Sequence, residues 1–93
     1  MAMKKKTHKD IEFEVHFVDS YDTFRTRKRD EAFARAVALA CSGRPVTVDV
    51  LCYSKAGAKW FHGDEGVEIY NEDPDASVFE RIVVTADPQG RVA

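Results

Sequence analysis

Two periods of apolar residues divide this chain. From Ile11 to Val18 apolar and polar positions alternate, with Ile11, Phe13, Val15 and Phe17 on one side and Glu12, Glu14 and His16 on the other. A period of two predicts a half-buried strand. From Thr26 to Ser42 the period lengthens. Phe33, Ala36, Val37, Ala40 and Cys41 recur at i, i+3, i+4, i+7 and i+8, which predicts the one clear helix of the chain. Gly43 stands where a left-handed C′ residue is wanted, and Pro45 forbids continuation. Alanines at 32, 34, 36 and 38 raise helix propensity, and Glu31 and Arg35 are spaced for an i, i+4 ion pair.

The remaining pattern reads as strands. Asp19 to Asp22 is a turn signal, and Thr23-Phe24-Arg25 follows as a short strand. Val46 to Tyr53 predicts the central strand, with Val46, Val48, Val50 and Cys52 on one face and Thr47, Asp49, Leu51 and Tyr53 on the other. Glycines at 57, 63 and 66 read as turns, which makes Ala58 to His62 and Val67 to Tyr70 two further strands. Short spacings between strands impose antiparallel pairing. Residues 71–77 form an acidic loop. Residues 74–81 fit a helix starting at Pro74 or a last strand, and the β-branched Val78, Ile82, Val83, Val84 and Thr85 favour the strand. Asp87-Pro88-Gln89-Gly90 is a closing turn. The expected fold class is α+β, with one main helix packed on one face of a four- to five-stranded, mainly antiparallel sheet. The expected division is a basic arm over 1–9, a single domain over 10–90 and a short tail over 91–93.

Composition narrows the function classes. Ninety-three residues with 44% hydrophobic and 32% charged positions fit one folded domain. A formal charge of −2 opposes non-specific nucleic-acid binding by the whole surface. The charge is uneven, however: residues 1–44 sum to +3 and residues 45–93 to −5. Cys41 and Cys52 form no CxxC pair and fall on predicted core-facing positions, so reduced thiols and a cytoplasmic setting are expected. No run approaches the roughly 18–20 apolar residues of a membrane span, so no membrane association is expected.

Candidate chemistry is sparse. Neither GxSxG, HExxH, Walker A nor GxGxxG occurs. Cys52 with His16 or His62 would make a thiol–imidazole pair, but Cys52 is in phase with three core valines, where a thiol is inert. His62, Asp64, Glu65 and Glu68 cluster without calcium-loop spacing. No catalytic residue, metal, cofactor or small-molecule substrate is assigned. Two surface features carry more. Leu51 and Tyr53 leave the central strand apolar on its outer face, and Phe61 and Phe79 from neighbouring strands extend that patch into an expected protein interface, to a partner or a second copy. In addition, Thr26 reads as the helix N-cap, making Arg27, Lys28 and Arg29 the first helical residues, with Arg25 just before. Cations oppose the dipole there, whereas anions bind there. The leading expectation is a small non-enzymatic interaction module, accessory or regulatory, working through the outer sheet face. The alternative is an anion- or nucleic-acid-binding accessory protein using Arg25, Arg27, Lys28 and Arg29 with the lysine-rich arm.

Overall fold

β1 (Ile11–Phe17) and β3 (Val46–Cys52) form the spine of the molecule. They pair antiparallel along their whole lengths, from Ile11 opposite Cys52 to Phe17 opposite Val46. The short β2 (Phe24–Thr26) borders β1, and β4 (Glu80–Val84) borders β3, giving the antiparallel order β2-β1-β3-β4. The structure, a computed structural model, describes residues 6–85. Most of the basic arm, the turn at 87–90 and the tail at 91–93 lie outside the described residues.

The alternation in β1 and β3 does what a period of two requires. Ile11, Phe13 and Val15 turn inward beside Val46, Val48 and Val50, and Val84 of β4 joins them. α1 (Arg29–Ala40) lies across this inner face. Its contact line is Ala32, Ala36 and Ala40, each fully buried. Small residues one turn apart let the helix backbone come close to a layer of valines, while Phe33 and Leu39 fill the margins. The stripe is therefore rotated from the one the sequence predicts. Val37 is 38% exposed and Cys41 is exposed, although both were expected to face the core.

The largest departure from expectation lies between Ser54 and Asp73. In place of two strands and two turns the chain forms α2 (Lys55–Glu72), an α-helix broken at Gly63. Ser54 caps it, its Oγ accepting from the Gly57 N–H at 3.0 Å and donating to Asp10 Oδ2 at 2.7 Å. The three glycines are not hairpin turns. Gly57 packs against Asp10 and Ile11, Gly66 lies against the Ala58 backbone, and only Gly63, at φ 65 and ψ −146, breaks the helix. That conformation belongs almost solely to glycine. The first half of α2 joins α1 on the inner face and buries Ala58 and Phe61, with the Phe61 ring 5.9 Å from that of Phe13. Residues 74–79 form no helix, and the chain enters β4 at Glu80. The fold is α+β, a four-stranded antiparallel sheet with its helices on one side. Among the described residues no helix is long and apolar enough to cross a membrane.

Candidate functional site

Among the described residues both helices pack on the inner face, so the other face of the sheet carries no element. Register places three rows of side chains on it. Glu12 faces Leu51; Arg25, Glu14, Asp49 and Arg81 line up across all four strands; His16, Thr47 and Val83 form the third. The face is more polar than the sequence suggested. Its middle row runs positive, negative, negative, positive.

Two adjacent carboxylates on neighbouring strands repel unless each has a partner. Arg25 pairs with Glu14 from the β2 side. Arg81 forks onto Asp49 from the β4 side, Nε to Oδ1 at 2.8 Å and an Nη to Oδ2 at 3.3 Å. His16 approaches the same carboxylate from the next row, Nε2 to Oδ2 at 3.1 Å. Asp49 is thereby sealed at 4% exposure, and among the described residues no buried side-chain nitrogen or oxygen is left unpaired. Burial alone would raise its pKa, but the Arg81 and His16 hydrogen bonds outweigh it and hold the carboxyl below its ordinary range. The outward ends of the row are the guanidinium groups, with the Arg25 and Arg81 side chains 60% and 58% exposed. At the two corners of the face stand Tyr53 and Val83, each 56% exposed. The Tyr53 hydroxyl donates to Glu12 at 2.9 Å. Burial, and then that bond to a carboxylate, push its pKa up.

The four expected interface residues separate into two groups. Leu51 and Tyr53 are on the open face, but Leu51 is buried there at 8% exposure, so only Tyr53 presents its side chain to solvent. Phe61 lies on α2, not on a strand, and is buried; its ring meets that of Phe79 edge-on at 6.3 Å. Phe61 and Phe79 therefore belong to the inner side of the molecule. Adjacent aromatics made Trp60 and Phe61 look like alternating strand positions, although the same residues sit three and four places from Gly57, which is helical spacing.

The four expected anion-binding residues also part company. Thr26 ends β2 and its Oγ1 accepts from the Lys28 N–H at 3.1 Å. Lys28 is the N-cap, without a side-chain cap bond, and Arg29 is the first helical residue. The basic first turn is thus shorter than expected, and Asp30 and Glu31 follow at once. Arg25 is engaged on the open face. The Arg29 guanidinium lies over the rings of Phe33 and Phe61, at 5.6 and 5.4 Å. Arg29 and Lys28 nevertheless line a cleft of about 500 Å³ with Lys6, Glu31, Trp60 and Phe61.

The thiol, imidazole and carboxylate groups weighed in the sequence are placed as follows. The Cys52 thiol donates to the Ser54 carbonyl at 3.0 Å and burial pushes its pKa up, which disfavours the thiolate. His62 is paired with Glu80. Among the described residues no three His, Cys, Asp or Glu side chains are arranged to hold a metal ion. The residues that sequence reasoning missed are Glu14, Asp49 and Arg81. The signal was present in the polar phase of two paired strands, but only register sets those residues in one row. Comparison with protein-family models, with curated proteins and with solved structures finds no match for this chain.

Proposed function

We propose that this chain is a small non-enzymatic protein-interaction module, whose open sheet face docks an acidic protein surface. The observation that carries the reading is the layering of charge on that face. Two of its three carboxylates, Glu14 and Asp49, are paired with guanidinium groups and the third, Glu12, accepts from Tyr53, whereas the two guanidinium groups and the side chains of Tyr53 and Val83 face outward. A partner therefore meets two exposed guanidinium groups beside Tyr53 and Val83, on a face whose acids are already engaged. Exposed arginine and tyrosine beside apolar contacts are the composition that protein interfaces favour.

Val83→Glu and Tyr53→Glu test this. Both positions are exposed, so the fold is expected to survive, as circular dichroism would confirm. Each change is expected to weaken capture of an acidic partner at least tenfold, or to dissociate a homodimer seen by sedimentation. Equal binding and equal sedimentation by wild type and both variants would sink the reading.

A second reading rests on the cleft at the start of α1, lined by Lys6, Lys28, Arg29, Trp60 and Phe61 together with Asp30 and Glu31. Cations beside aromatic faces suit single-stranded nucleic acid. Trp60 is the single tryptophan of the chain, so its fluorescence reports binding directly. Under this reading mixed-sequence RNA quenches it, less so as salt rises, and the triple change of Lys6, Lys28 and Arg29 to Ala removes the response. Unquenched fluorescence at low ionic strength removes this second reading.

A further inference from the structure

The His16 ring is set between two acceptors. Its Nδ1 lies 2.7 Å from the carbonyl oxygen of Phe17, and its Nε2 lies 3.1 Å from Oδ2 of Asp49. A carbonyl oxygen only accepts, so Nδ1 must carry a proton. A carboxylate also only accepts, and the two Arg81 hydrogen bonds keep Asp49 in that form. Nε2 must then carry a proton as well. An imidazole with both nitrogens protonated is a cation.

We infer that His16 is held as an imidazolium and works as a proton-dependent strap, joining β1 to the Asp49–Arg81 pair of β3 and β4 across the open face. On losing one proton the ring can donate to only one of the two acceptors, so a lone pair faces either the Phe17 carbonyl or Asp49, the charge attraction to Asp49 is lost, and the tie between β1 and β3 weakens at this point. The charged groups sharing that face with His16 are Glu14 on its own strand, Arg25 on β2, Asp49 on β3 and Arg81 on β4, of which Asp49 and Arg81 act on the ring. Both helices lie on the other side. Partial burial disfavours the cation, and Arg81 opposes it at longer range, yet the Asp49 and Phe17 hydrogen bonds prevail and the pKa stands above the ordinary 6.5. The sign follows by linkage. A folded-state value above the unfolded one gives a contribution complete below about pH 6.5, which is lost as pH climbs through the higher folded value.

A nitrogen-resolved titration of the imidazole rings in the full chain reads this directly. His16 is expected to show two protonated ring nitrogens at pH 6.5 and to titrate above that pH. Asp49→Asn is expected to move the His16 midpoint downward, which a merely space-filling role for Asp49 would not do. Urea unfolding gives an independent reading, because the stability difference between wild type and His16→Gln should shrink as pH is raised from 6 to 9. A His16 ring that is neutral at pH 6.5, a midpoint unmoved by Asp49→Asn, or a stability difference flat in pH would each overturn the inference. The wild-type titration decides the matter even where a variant fails to fold.

Discussion

A methyl group on the Cα of Gly66 would run into the Ala58 carbonyl oxygen and the His62 Cβ, because the second half of α2 turns back on the first at that point. In an open helix Gly→Ala would gain about 1 kcal/mol from propensity. Here overpacking against fixed backbone outweighs that gain, at roughly 1–3 kcal/mol. Gly66→Ala is therefore expected to lower the urea midpoint of unfolding, and a raised midpoint would contradict the packing described. The arginines teach a related lesson. Arg35 was spaced for Glu31, yet its guanidinium lies 4.3 Å from the centre of the Phe24 ring, and Arg44 lies 3.9 Å from that of Phe17 while reaching Asp19. Charge in a sequence marks a residue as able to pair; only the fold decides between an acid, a ring and a ligand.

Among the elements, β1 and β3 were legible because apolar residues fill every inward position, although Leu51 interrupts the polar phase of β3. The stop of α1 was legible too: Gly43 takes φ 91 and its N–H reaches the Ala40 carbonyl. α2 was not legible. Glycine signals a turn when read alone, but at 57 and 66 it marks close approach of backbones, and just one of the three breaks the helix. The Ser54 cap was the counter-signal. β3 and β4 then pair antiparallel despite a long helical connection, so spacing gave the right pairing for an incomplete reason. The halves of α2 also differ in support. The first buries Gly57, Ala58 and Phe61, whereas beyond Gly63 only Gly66 is buried and Ile69 is 37% exposed. Amide hydrogen exchange is expected to be slowest in β1 and β3, intermediate in α1 and the first half of α2, and fastest of the helices beyond Gly63. Uniform protection along α2 would contradict this.

Over the whole molecule, the split of charge between the two halves of the sequence survives folding only in part. Between Lys59 and Arg81 the chain has no lysine or arginine, so the second half of α2 and the loop after it are acidic. Among the described residues, Arg25 and Arg81 lie on the open face, Arg35 and Arg44 over rings, and Lys6, Lys28 and Arg29 at the cleft beside α1. The candidate site was the least legible part of the sequence. Glu14, Asp49 and Arg81 are far apart in the chain, and a polar phase shows which way they face without showing what they meet.

The strand order β2-β1-β3-β4 bears on how the molecule assembles. The two central strands are not neighbours in sequence: Phe17 must find Val46, and Ile11 must find Cys52. Closing a loop of roughly thirty residues or more before any core contact forms makes such a fold slower than one built from adjacent hairpins. On the ribosome β1 emerges first and has only the three-residue β2 to pair with until Val46–Cys52 is made. Its inward side, Ile11, Phe13 and Val15, is the most apolar strand surface exposed in that interval. Glu12 and Glu14, set between those residues, give the waiting strand negative charge on its other side, a natural guard against association of nascent chains.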